Sequence, residues 1–297
     1  MRRIADFRRV RRRSRRFWLL AAVIAAALGA VSAATVAWEA LDNVSATVAA
    51  AVLAGAILGG LVVGVAVGVR SLNESAHTRA FINVRPLLGS LPIPANEWAI
   101  DAIFAEVVVT EIERREPGLV VECGSGVSTL LFASCLEALG VGRLVTFEHD
   151  EEFASQTDSL ARHCGCANRV EIVVGPLRPH RLGGQEVLWY SGLEALDGQE
   201  PVEILVVDGP PGTTAPLARY PALPLLFPFL APGASVFLHD GKRAAERETA
   251  RRWGVEVGFE PVYVDSPLGG WLLRAPEYPT SIESPLRDGG RATRSPV

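Results

Sequence analysis

Two long uncharged runs open the chain, residues 17–38 and 44–69, separated only by Glu39, Ala40, Leu41, Asp42 and Asn43. Neither run has a polar face. At ~1.5 Å per residue even the shorter one covers about 33 Å, enough to cross the hydrocarbon core of a bilayer, so the pattern predicts a two-helix transmembrane hairpin over 17–69. Residues 70–95 turn polar and then proline-bearing, and read as a linker. A helix is predicted from about Asn96, because Ile100, Ile103, Phe104, Val107, Val108 and Ile112 share one face while Glu106, Glu111, Glu113 and Arg114 stay off it. Pro117 stops it.

Beyond Pro117 short apolar runs alternate with helix-period segments. Strands are predicted at 120–123, 143–148, 170–174, 202–207 and 234–238, and helices at 129–139, 151–163 and 242–253. In the last helix Glu248 precedes Arg252 at i,i+4. A proline-interrupted segment fills 215–230. Such alternation predicts an α/β domain over 96–275, a Rossmann-like doubly wound and mostly parallel sheet with helices on both faces. The ending differs: 260–264 and 271–274 flank Ser266-Pro267-Leu268-Gly269-Gly270, which reads as an antiparallel hairpin completing a seven-stranded sheet. Residues 276–297, rich in proline, serine, glycine and arginine, read as a disordered tail.

Charge changes this picture at one place. Residues 1–16 hold nine arginines and one aspartate, a charge of +8, so with −4 overall the other 281 residues carry −12. An acidic body argues against nucleic acid as a partner and leaves the arginines as a local device. Ahead of a first span they put the N-terminus on the cytoplasmic side; a second span returns the chain there, so the globular domain is expected at the cytoplasmic face of a cell membrane. Ser14-Arg15-Arg16-Phe17 also resembles the start of a twin-arginine export signal, with Val31-Ser32-Ala33 as a cleavage site, but 22 apolar residues exceed the usual signal length and a second span follows at once. Gly55, Gly59, Gly60, Gly64 and Gly68 let helices approach closely, which suits packing of the two spans on each other or self-association. The four cysteines, Cys123, Cys135, Cys164 and Cys166, have no paired C-x-x-C spacing, which suits a reducing compartment and argues against zinc.

Candidate chemistry gathers at the predicted strand ends. Residues 118–131 read as a buried strand, a turn through Gly124 and Gly126, and a helix start that Ser128 and Thr129 can cap; free backbone N–H groups there suit a nucleotide-like cofactor. Glu148, 24 positions after Gly124, closes the next strand and is placed to bind both hydroxyls of a ribose. A dinucleotide is disfavoured, since Thr129 stands where its fingerprint needs a third glycine, and acidic Glu122 beside the turn suits a cationic sulfonium better than a pyrophosphate. Asp208 and Asp240 close neighbouring strands and are expected to share a crevice, where one acts as a general base with a pKa raised by its like-charged neighbour, offset by Lys242 or His239.

The stretches Val121-Glu122-Cys123-Gly124-Ser125-Gly126-Val127-Ser128-Thr129, Phe147-Glu148-His149-Asp150, Trp189-Tyr190, Val207-Asp208-Gly209-Pro210-Pro211-Gly212, Arg219-Tyr220-Pro221-Ala222-Leu223 and His239-Asp240 with Arg243 resemble, in order, a class I S-adenosylmethionine-dependent methyltransferase of the broad group called methyltransferase family 24. The resemblance implies S-adenosylmethionine as cofactor, a cradle from Glu122, Gly124, Ser125 and Gly126, a ribose clasp from Glu148, and adenine near Gly175-Pro176-Leu177. Similar enzymes acting on catechol hydroxyls hold a divalent metal, Mg or Mn, between carboxylates equivalent to Asp208 and Asp240, with an asparagine following the second; here Gly241 follows, which removes a ligand. His149 and His180 read as surface residues, and Trp189 and Tyr190 as lid or core aromatics. The expected function is O-methylation of a hydroxyl-bearing acceptor, whether glycan, lipid-linked or small molecule. A cofactor-binding scaffold without catalysis and a nicotinamide-dependent oxidoreductase are the alternatives.

Overall fold

The structure is a computed structural model that describes residues 46–89, 100–258 and 260–275. The expected span at 17–38 and the expected tail at 276–297 lie outside the described residues. The chain divides into two compact units, residues 1–78 and 79–297. Helix α1 (Ala46–Val84) does not end near Val69 as the linker reading expected. Residues 70–84 contain neither proline nor glycine, so nothing in them stops a helix; only Pro86 tightens the chain into a 3-10 turn, Arg85–Leu88. Among the described residues no helix is long and apolar enough to cross a membrane. Within the apolar run 44–69, side chains are described for 54–68 alone.

The second unit contains helices α2 (Ala102–Arg115), α3 (Val127–Leu139), α4 (Glu151–Cys164), α5 (Ala222–Leu226) and α6 (Ala244–Val257). Its strands are β1 (Leu119–Cys123), β2 (Arg143–Glu148), β3 (Val170–Val174), β4 (Leu177–Leu182), β5 (Gln185–Tyr190), β6 (Val202–Val207), β7 (Leu230–His239), β8 (Val262–Val264) and β9 (Gly270–Arg274). Seven form one sheet in the order β3-β2-β1-β6-β7-β9-β8, parallel from β3 to β7 and closed by the antiparallel hairpin. This is the predicted Rossmann-like class. Helix α2 starts six residues later than expected, because Asp101 is its cap and accepts from Phe104 N at 3.0 Å.

Alternation along each strand separates two apolar layers. Val120, Ile204, Val206 and Phe237 pack with Phe104, Val108, Ile112, Phe132 and Ala161 of α2, α3 and α4. Val121, Leu205, Val207, Val236 and Leu238 face the other way, onto Leu223, Leu226, Trp253 and Val257 of α5 and α6, with Trp189 and Tyr190. Burying one such large side chain contributes about 1.5–3 kcal/mol, so both faces are strongly specified. The β4–β5 hairpin was not expected: it forms a separate two-stranded sheet turning at Gly183 and Gly184, both at positive φ.

Candidate active site

The strand order reverses direction between β1 and β6, which opens a crevice beyond their carboxyl ends. Two turns meet there. Gly124 has φ +94°, and a Cβ on it would lie 3.0 Å from Gly209 N and 3.1 Å from Gly209 Cα. A Cβ on Gly209 would in turn run into Tyr190 Oη and come within 2.9 Å of Gly124 Cα. Both glycines are therefore needed for the backbones after β1 and β6 to touch.

Around this contact the sequence-predicted residues divide. The side chain of Glu122 lies fully buried beneath the turn and accepts from Thr129 Oγ1 at 2.6 Å; that hydroxyl also accepts from Gly126 N at 2.9 Å. Thr129, expected as a cap, thus ties the start of α3 to the end of β1. Glu122 Oε1 and Tyr190 Oη are buried with no hydrogen-bond partner. Burial raises the Glu122 carboxyl and outweighs the neighbouring hydroxyls that lower it, to about 7. Glu148 is held rather than free. Its Oε2 accepts from Ser125 N at 2.8 Å and Ser125 Oγ at 3.1 Å, and its Oε1 from the backbone N–H of His149 and Asp150 at 2.8 and 3.0 Å. Leu177 sits at the start of β4, packed against the layer that contains Tyr190.

Asp208 and Asp240 do share one site, but not as a repelling pair. Arg219, only 4% exposed, places one guanidinium nitrogen 3.3 Å from Asp208 Oδ1 and 3.0 Å from Asp240 Oδ2. Arg243 adds a contact to Asp240 at 2.8 Å. His239 is buried between carboxylates, with Nδ1 2.9 Å from Asp208 Oδ1 and Nε2 3.2 Å from Asp101 Oδ2. Burial lowers the pKa of His239, but the charge of Asp208 and the hydrogen bonds to Asp101 and Asp208 overcome this and raise it to about 10. Burial likewise raises that of Asp208, and His239 and Arg219 overcome it, leaving the carboxyl below its ordinary value. The raised pKa expected of a general base is thus corrected for Asp208: His239 and Arg219, reached through the fold, hold it down. Asp101 also accepts from Ser266 Oγ at 2.7 Å, which joins the α2 cap, His239 and the β8–β9 loop in one network.

Lys242 does not reach the pair; its Nζ donates to Pro267 O at 2.6 Å. His149 is partly exposed and meets Tyr190 edge-on, with ring centroids 6.2 Å apart. Trp189 and Tyr190 are core aromatics. All four cysteines are free. An open cavity lined by Leu196, Gln199, Val202 and Phe229 lies at the amino end of β6, away from these groups. Sequence reasoning missed Arg219, Asp101 and Tyr190 as site members. Arg219 lay in a motif already noticed, while nothing local marks Asp101 as a partner of a histidine 138 residues away.

Residues 121–241 match the family model described as a methyltransferase domain. No curated protein matches the chain. Among solved structures it is similar to the O-methyltransferase TomG from Streptomyces achromogenes, involved in tomaymycin synthesis and in complex with SAM. The identity is 19%, the match covers 68% of this chain and 89% of that one, and the TM-score is 0.46. An O-methyltransferase from Bacillus cereus in complex with SAH shares 14% identity, with 69% and 97% covered and a TM-score of 0.48. The SAH-bound methyltransferase PaMTH1 of Podospora anserina shares 12%, with 67% and 87% covered and a TM-score of 0.48.

Proposed function

We propose that the protein is an S-adenosylmethionine-dependent methyltransferase that O-methylates a hydroxyl-bearing acceptor, either glycan, lipid-linked or small molecule, from an anchored position at the cytoplasmic face of a membrane. The observation that carries the cofactor is the Gly124–Gly209 contact with two orphaned polar atoms beside it, Glu122 Oε1 and Tyr190 Oη. Buried polar groups without partners are costly, and a polar ligand seated on the turn relieves that cost. Burial holds the Glu122 carboxyl towards its neutral form; a cationic ligand favours its charged form, and a pyrophosphate opposes it.

In this reading Gly124, Ser125 and Gly126 receive the amino-acid end of the cofactor over Glu122, and Leu177 offers an apolar surface to adenine. Glu148 keeps Oε1 on the backbone N–H groups of His149 and Asp150 and exchanges the Ser125 contacts of Oε2 for ribose hydroxyls. When bound, the cofactor supplies an electrophilic methyl group on a sulfonium. Asp208 is the most exposed of the strand-end carboxylates, its side chain 14% accessible against 7% for Asp240. It accepts the hydrogen bond of the acceptor hydroxyl and takes the proton as the carbon–oxygen bond forms. A weak base suffices, because an alkylated hydroxyl is strongly acidic.

The anchor rests on the uncharged runs 17–38 and 44–69 and the arginines before them. Ile57, Leu58, Val62, Val63 and Val67 of α1 leave their side chains exposed, as a lipid-facing helix does. Full-length protein in membrane vesicles, supplied with methyl-tritiated S-adenosylmethionine, is expected to transfer label to a hydroxyl compound of the membrane fraction. Binding of NAD in place of S-adenosylmethionine contradicts this reading, and cofactor binding without label transfer to any acceptor turns it into the scaffold reading. Reporter fusions after Asn43 and Val297 are expected to fall on opposite sides of the membrane, and export of the Val297 fusion overturns the anchor.

A further inference from the structure

Asp208, His239 and Asp240 have the make-up of a metal centre, each offering one ligand atom and all of these within 4.8 Å of one another. Their surroundings do not fit a divalent ion. The same nitrogen of Arg219 lies 3.3 Å from Asp208 and 3.0 Å from Asp240, in the space that a shared cation would need. The guanidinium is fixed there by His239 O at 3.3 Å and Pro210 O at 3.4 Å, with Glu246 at 4.0 Å as a third carboxylate. Both ring nitrogens of His239 are occupied, one by Asp208 and the other by Asp101. No further ligand can come from the position after Asp240. A Cβ on Gly241 would lie 2.7 Å from Gly270 N, 2.8 Å from Gly270 Cα and 2.9 Å from Trp271 Nε1, because β9 crosses at that point.

We propose that Arg219 is the resident cation of this site, so that Asp208 and Asp240 are held in place and balanced without a divalent metal, and that removing the guanidinium turns the same carboxylates into a metal site. A guanidinium suits the task because it stays charged at any working pH and its planar fork can serve several carboxylates and carbonyls at once. A metal between the two aspartates would sit against that fixed charge, and against Arg243 at 2.8 Å from Asp240. Arg219 is thus a positioning residue for Asp208. The inference concerns metal affinity, which is measured without an acceptor or cofactor, so it stands or falls apart from the methyltransferase reading.

The test is a manganese titration of the full-length protein followed by electron paramagnetic resonance. The wild type is expected to show no saturable binding at Asp208 and Asp240 up to about 1 mM, the weak end of protein sites for hard cations. Arg219→Gln is expected to gain binding at least about tenfold tighter, since a charge within contact distance is removed. That gain disappears again in Arg219→Gln/Asp240→Asn, and Arg219→Lys, which keeps the charge, does not show it. Saturable binding by the wild type that Asp240→Asn abolishes overturns the proposal, as does a folded Arg219→Gln that gains nothing. If Arg219→Gln does not fold, the wild type and Asp240→Asn decide: the same unsaturated titration in both supports a resident arginine.

Discussion

Near the start of β7 the carboxylate of Glu111 is held by Arg114, Arg115 and Arg274 at 2.8 to 2.9 Å and by the Ser235 hydroxyl at 2.6 Å. Past the other end of the same strand, Asp208 and Asp240 share Arg219, with His239 and Arg243 alongside. The first cluster gives one carboxylate more donors than it needs, and those hydrogen bonds overcome burial and pull its pKa far down. The second matches cations to carboxylates and lies beside a turn where Glu122 Oε1 and Tyr190 Oη have no partners. A saturated cluster can only hold its elements together. One that adjoins unsatisfied atoms still has capacity for a ligand, and this separates the functional end of the sheet from the structural one.

Substitutions at each end sharpen that contrast. Asp208→Asn should reduce methyl transfer by at least about 100-fold while cofactor affinity stays within a few-fold, as initial rates and calorimetry would show. Glu111→Gln should do the reverse. It loosens contacts between α2, β7 and β9 and lowers stability by about 2–3 kcal/mol in denaturant titration, less than a fully buried pair because Arg114 and Arg274 are half exposed, and it leaves cofactor affinity unchanged.

A pH series separates the ends further. His239 has a folded-state pKa raised from 6.5 to about 10, so its contribution to stability is complete below about pH 6.5 and is lost as the pH rises towards 10. Glu111 is depressed, so its contribution is present above its ordinary pKa of 4.5 and is lost in acid. His239→Gln should therefore flatten the alkaline limb of a melting-temperature profile and leave the acid limb, with Glu111→Gln doing the opposite. The smallest effect belongs to Glu248→Ala, whose ion pairs with Arg251 and Arg252 lie on the exposed side of α6; melting should hardly move.

The centre of the sheet was legible because its strands are buried and carry short apolar runs, Leu119 to Val121 and Ile204 to Val207. The β4–β5 hairpin was not, since Arg178, Pro179, Arg181 and Glu186 are exposed and blur the alternation; its one clear signal was Gly183-Gly184. At the site, the glycine turn, Glu148 and the two aspartates could be placed by their strand ends. What local sequence could not give was their state. Whether the pKa of Asp208 is raised or lowered depends on His239 and on an arginine reached only through tertiary folding, and both of these cations lie against its carboxylate and hold the pKa down.

The contact between the turns after β1 and β6 is the proposed cofactor site. Calorimetric titration of the full-length protein with S-adenosylhomocysteine, in the wild type, Glu148→Ala and Glu111→Gln, tests this most directly. The proposed site requires one saturable binding event in the wild type, a loss of about 2–4 kcal/mol in Glu148→Ala, where charge-assisted bonds to ribose disappear, and an unchanged affinity in Glu111→Gln. An absence of binding in the wild type, or equal affinity in a folded Glu148→Ala, would contradict it.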